Sequence, residues 1–182
     1  MGALRQGFYA APQILALGVI LVCSPVSSSG AGSRPDSIGV RYGASGEADF
    51  TQAEIFLNFA LPWRWGWGSG WYAQTRLETS AGWLHGNGDT AGLFTLGPGF
   101  VISHTNCPLS VEIGASPTAL TRDEFGSKDL GAPIEFTSHL GLDYDVSRRI
   151  RIGYRYQHMS NAGLANHNPG QNLHLFSISY LF

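Results

Sequence analysis

The chain has 182 residues, 43% hydrophobic, 12% aromatic and 13% charged, with 24 glycines and a formal net charge of −2. That length suits one domain, and the charged share is about half the roughly 25% usual in soluble globular proteins. Near-neutral charge with no basic run excludes a phosphate-tracking nucleic-acid surface, while many aromatics and glycines fit a β-rich body whose exterior is not mainly water.

The first stretch, MGALRQGFYAAPQILALGVILVCSPVSSSGAGS, carries one arginine, Arg5, then an apolar run from Ile14 to Val22, then small residues. This is the layout of a secretory signal peptide, with cleavage expected between Val26 and Ala31. The apolar run is shorter than the about 20 residues a spanning helix needs. Residues 1–31 are therefore expected to leave the protein, taking Cys23 with them, and 32–182 to form the mature domain. Cys107 is then the sole mature cysteine, which excludes an intrachain disulfide.

After Ser33 no stretch reads as an amphipathic helix. Period-two segments recur instead, separated by Gly, Asn, Asp and Pro. Eight strands are predicted, over 37–44, 50–62, 70–84, 90–103, 108–117, 133–145, 149–160 and 171–182. Each separates into two faces. In the third segment Trp71, Ala73, Thr75, Leu77, Thr79, Ala81 and Trp83 oppose Tyr72, Gln74, Arg76, Glu78 and Ser80. In the seventh, Ile150, Ile152, Tyr154 and Tyr156 oppose Arg149, Arg151, Gly153, Arg155 and Gln157.

A soluble barrel would turn the apolar faces inward. Three features favour the inverse, with apolar faces to lipid. Aromatics (Trp71, Trp83, Tyr144, Tyr180) stand near strand ends, as in interfacial girdles. The polar faces mix Arg76, Glu78, Glu112, Glu135, Asp143, Arg151 and Arg155 in near balance, which suits an internal ion network. The chain stops on a strand, FSISYLF, and closing the sheet leaves no open edge in lipid. The expected fold is all-β, an eight-stranded antiparallel transmembrane barrel of the bacterial outer membrane, too narrow for an aqueous pore. With both termini periplasmic, 45–49, 85–89, 118–132 and 161–170 are the outer loops.

Parity carries a reactive set to the outside of that barrel. Up the seventh strand the lipid-facing series runs Ile150, Ile152, Tyr154, Tyr156, His158, Ser160. Back from Phe182 it runs Tyr180, Ile178, Phe176, His174, Asn172. A general base beside a serine is the minimum for a nucleophile, and a third group that holds the imidazole completes the arrangement. The plain alternatives are a rim histidine beside a turn-forming serine, or a surface metal cluster with His167 and His174, toward which no cysteine or carboxylate converges. HxS alone is a weak pattern.

The run His158-Met159-Ser160-Asn161-Ala162-Gly163, then Asn168-Pro169-Gly170, then a last strand ending in Phe182, resembles the lipid A 3-O-deacylase (PagL) family. GVRYG at 39–43 followed by DFTQAEIF at 49–56 resembles that family's first hairpin, so the likeness covers nearly all of the mature chain. The resemblance implies an outer-membrane serine esterase that removes the 3-position acyl chain of lipid A in the outer leaflet. It implies His158 as general base, Ser160 as nucleophile and Asn161 at the oxyanion hole; the mechanism then expected uses backbone N–H groups near Asn161 and Gly163 for the oxyanion and needs no metal or organic cofactor. The family orients its histidine with a glutamate, where this chain has Asn172. A non-enzymatic structural or adhesive barrel is the competing expectation, and the sequence leaves oligomeric state, acyl preference and latency open.

Overall fold

Side chains that alternate between lipid and lumen dictate a sheet that curls until its edges meet, because an open edge in hydrocarbon would leave backbone groups unbonded. The computed structural model describes residues 34–46, 49–165 and 167–182; the expected signal peptide lies outside them. Eight long strands close the barrel: β1 (Ser37–Ala44), β2 (Phe50–Trp67), β3 (Trp71–Gly86), β4 (Asp89–His104), β5 (Leu109–Leu120), β8 (Ile134–Asp145), β9 (Ile150–Ser160) and β10 (Gln171–Leu181). The remaining two, β6 (Glu124–Phe125) and β7 (Lys128–Asp129), form a small hairpin within the third outer loop. Around the wall the order is β1-β10-β9-β8-β5-β4-β3-β2, every pair antiparallel, with β1 closing on β10 from Ser37–Leu181 to Ala44–His174.

The inverted pattern holds. The outer wall exposes large apolar side chains on every long strand, among them Ile55, Trp83, Phe94, Ile113, Leu140, Ile152 and Phe176. The mid-lumen is filled by an ion network. Arg76 binds Glu78 at 2.8 Å and also Glu112, Arg155 binds Glu112 at 2.7 Å and Glu78 at 3.1 Å, and Arg41 pairs with Glu54. Glycines make room for it. A Cβ on Gly99 would lie 1.9 Å from Glu78 Oε1, and one on Gly114 would lie 2.5 Å from the His139 ring.

Three features go beyond the period-two reading. β2 runs five residues past Pro62, because a bulge between Ala60 and Arg64 absorbs the proline, after which Arg64–Gln74 and Trp65–Ala73 resume pairing. β5 continues through Pro117 to Leu120, since Pro117 still takes its place opposite Phe136. The outer third of the lumen is also apolar. Phe50, Leu84, Ala91, Leu93, Leu120, Met159, Leu173 and Leu175 pack under Phe125 and Leu130 of the third outer loop. Phe125 meets Phe50 edge-on at 5.1 Å between ring centroids. This plug lies directly behind the outer ends of β9 and β10.

Candidate active site

The site starts from strand phase. Met159 is fully buried in the plug, so its neighbours His158 and Ser160 point away from it, and likewise Gln171 and Leu173 face inward and push Asn172 out. The two strands pair with His158 opposite Asn172 and Met159 opposite Gln171. His158 is exposed on the lipid-facing wall, while Ser160 and Asn172 are half-buried. Apolar packing on one side of each strand thereby fixes the reactive side chains on the other.

His158 Nδ1 lies 2.7 Å from Asn172 Oδ1. An amide oxygen only accepts, so Nδ1 carries the proton and Nε2 keeps a lone pair, the tautomer a general base requires. Ser160 stands two residues on, on the same face; no hydrogen bond joins its hydroxyl to the imidazole among the described residues. Such bonds commonly tighten only when substrate is present. Behind the ring, Gly170 has φ +64°, and a Cβ there would lie 3.0 Å from His158 Cε1. Glycine is required twice over, by the backbone angle and by the imidazole it backs.

After Ser160 the chain turns at Asn161-Ala162-Gly163-Leu164, with Leu164 N–H donating to Asn161 O at 3.1 Å and both central residues at positive φ, Ala162 at 56° and Gly163 at 79°. An L-alanine in that region costs about 1–2 kcal/mol, so its surroundings must hold it there. Asn161 does so. Its fully buried side chain donates to Leu130 O at 3.0 Å and to His167 O at 2.7 Å, and accepts from Gly163 N–H at 3.0 Å. Its own N–H donates to Asn168 Oδ1 at 3.1 Å. The amides of Asn161 and Gly163, expected at an oxyanion hole, are thus engaged within the loop.

The third outer loop braces this turn, a contribution the sequence reading missed. Gly131 lies so close that a Cβ there would sit 2.2 Å from His167 O, and Lys128 Nζ bonds Gln171 Oε1, next to Asn172. The only signals were Gly131 and the Asn168-Pro169-Gly170 turn, neither of which names its partner. Of the other histidines, His174 lies one pleat below Asn172, 2.6 Å from Tyr154 Oη, and does not join His158. Glu78, Glu112 and His139 bring ligand atoms within 4.8 Å of one another, but Arg76 and Arg155 already bond both carboxylates, which makes this cluster part of the ion network.

A closed barrel with an apolar outer wall, a salt-bridged lumen and an imidazole–amide pair beside a serine on its lipid-facing rim defines a class: small outer-membrane β-barrels with a polar site that opens sideways into the bilayer. Within that class the chain belongs to the lipid A 3-O-deacylase (PagL) family, whose model matches residues 51–181. It is 25% identical over 168 residues to the lipid A deacylase PagL of Pseudomonas aeruginosa, covering 87% of this chain and 92% of that protein. Identity to the lipid A deacylase PagL of Bordetella bronchiseptica is 35% over 72 residues, a span covering 40% of each. The crystal structure of the outer membrane enzyme PagL superposes with a TM-score of 0.72 at 19% identity, covering 80% of this chain and 99% of that one. The N-terminal β-barrel domain of Pseudomonas aeruginosa OprF shares the barrel at a TM-score of 0.50 and 12% identity.

Proposed function

We propose that this protein is an outer-membrane serine esterase that hydrolyses the ester-linked acyl chain at the 3-position of lipid A. The observation that carries the reading is the 2.7 Å bond from His158 Nδ1–H to Asn172 Oδ1 on the lipid-facing side of the outer rim, with Ser160 on the same face. A substrate lodged in the outer leaflet presents its esters at the headgroup boundary, beside the barrel wall. A nucleophile facing the lumen could not meet it.

In this scheme Ser160 Oγ attacks the ester carbonyl carbon while His158 Nε2 takes the hydroxyl proton. The tetrahedral intermediate collapses, the sugar oxygen leaves with the proton from Nε2, and the acyl group stays on Ser160. Water, deprotonated by Nε2, then attacks the acyl-enzyme, releasing the hydroxy fatty acid and restoring the serine. Asn172 holds the ring in the working tautomer, although a neutral amide stabilises the transient imidazolium less than a carboxylate would. The oxyanion falls to the turn that Asn161 and Gly163 close. Since their two amides hold the loop together, the donor is the amide between them, Ala162 N–H, fixed at positive φ. The scheme uses no metal or organic cofactor.

Mass spectrometry of lipid A from cells that express the protein tests the reading. Wild type removes one hydroxyacyl mass, whereas Ser160→Ala and His158→Ala leave lipid A intact. Lipid A of unchanged mass in wild-type cells, with the protein folded in the outer membrane, would leave a structural barrel as the better reading.

A further inference from the structure

β9 and β10 carry a second polar pair on the lipid-facing wall, beside the first. His174 pairs with Tyr156 across the two strands and Asn172 with His158, so His174 stands diagonal to His158, roughly 7 Å away. Phase puts it outside, because Leu173 and Leu175 on either side of it are fully buried in the lumen. Its Nδ1 lies 2.6 Å from Tyr154 Oη, and its ring centroid lies 6.1 Å from that of Tyr154 and 5.2 Å from that of Tyr156, contacts that fix the imidazole against the wall. Elsewhere the outward faces of the eight long strands carry no Asp, Glu, Lys or Arg among the described residues, and their other histidines are His158 and the strand-end His85 and His104. The pair also holds more donors than it uses. A tyrosine hydroxyl and a neutral imidazole bring one donor each, and the bond between them takes one. Whichever way that bond runs, a donor is left over: Nε2–H if the hydroxyl donates, the phenol O–H if Nδ1 does. No other hydrogen bond reaches either side chain among the described residues. On a wall that faces hydrocarbon an unmet donor is costly. The acceptors at hand there are the carbonyl oxygens of acyl linkages at the headgroup boundary.

Resting on the esterase reading, we propose that His174 and Tyr154 form a second subsite, which hydrogen-bonds the carbonyl oxygen of another acyl linkage on the same lipid and so selects multiply acylated substrates. The scissile carbonyl itself is out of its reach. Ser160 lies two residues beyond His158 toward the outer loop, whereas His174 lies diagonally on the other side of His158. A lipid whose first ester meets Ser160 therefore offers the leftover donor a second ester or amide carbonyl further down the wall. His174 is a specificity residue in this account and takes no part in the proton transfers. A bystander lipid carries the same carbonyl chemistry, but its binding would not depend on which substrate is being cleaved.

The test uses a matched pair of two-chain lipids in micelles of a detergent without carbonyl groups. Both carry the same labelled ester; the second chain is joined through an ester in one and through an ether in the other, which deletes only the second carbonyl oxygen. The readout is the ratio of kcat/KM for release of the labelled chain, in wild type, His174→Phe and His174→Gln. Retarded migration of the unheated protein in electrophoresis confirms that each barrel is folded. Wild type is expected to favour the diester by about fivefold to tenfold, the worth of one hydrogen bond. The ratio should fall to near one in His174→Phe and return in His174→Gln, which restores a donor. A wild type that cleaves both lipids equally, or a His174→Phe protein that keeps the wild-type ratio, would overturn the subsite while leaving the esterase standing, and would show that the pair meets only bystander lipid. A folded wild type that cleaves neither lipid overturns both.

Discussion

Replacing Asn161 by alanine removes three hydrogen bonds at once: the donations to Leu130 O and His167 O, and the acceptance from Gly163 N–H. A typical bond contributes about 1 kcal/mol net, so the closed loop loses about 3 kcal/mol relative to open forms. At 1.4 kcal/mol per tenfold, that is on the order of a hundredfold in the closing equilibrium. The barrel itself, closed by eight strands elsewhere, should keep its fold. The expected result is a deacylation rate reduced between tenfold and a hundredfold, together with faster hydrogen exchange at residues 130–131, 163–165 and 167–168. Asn161→Asp should fail in the same way, because a carboxylate facing the carbonyls of Leu130 and His167 replaces two donations with repulsion. A collapsed rate with unchanged exchange would refute the positioning role and return Asn161 to direct contact with substrate.

Gly170→Ala should cut turnover at least tenfold with little effect on barrel stability, since its Cβ would press on the His158 ring from a strained backbone; single-turnover kinetics would show the loss in the chemical step. Asn172→Asp keeps the reach to Nδ1 and adds negative charge beside the imidazolium, so kcat should rise several-fold, whereas Asn172→Leu should lower it; a steady-state rate series checks both. Arg155→Met leaves Glu78 and Glu112 each short of a buried partner and should cost about 3–5 kcal/mol in denaturant unfolding. By contrast, Arg122→Ala breaks a solvent-screened pair with Asp89 and should leave the unfolding midpoint nearly unchanged by the same measurement.

How far the fold was legible follows from which interactions are periodic. Alternation along β3, β8 and β9 put Arg76, Glu135 and Arg155 inside and Trp83, Leu140 and Tyr156 outside, and that phase alone carried His158, Ser160 and Asn172 to the outer face. The apolar plug was harder to read. On β10 the inward Leu173 and Leu175 and the outward Phe176 are all apolar, so alternation fades where lumen and lipid ask for the same chemistry. Strand ends were misjudged at Pro62 and Pro117 because a proline that a bulge or an open ladder position absorbs does not stop a strand. The site's bracing had no local signature. Asn161 reads as a turn residue in sequence, and its bonds to Leu130, 31 positions away, and to His167 exist only once two loops meet above the barrel.

A reactive pair mounted on the outside of the cylinder also changes how catalysis should scale. Under the proposed deacylation, substrate would arrive by lateral diffusion within a two-dimensional fluid, and at least one product would leave by the same route. Turnover should therefore follow the mole fraction of substrate in the membrane rather than its bulk concentration. Diluting the bilayer with inert lipid should slow the protein, while adding buffer should not.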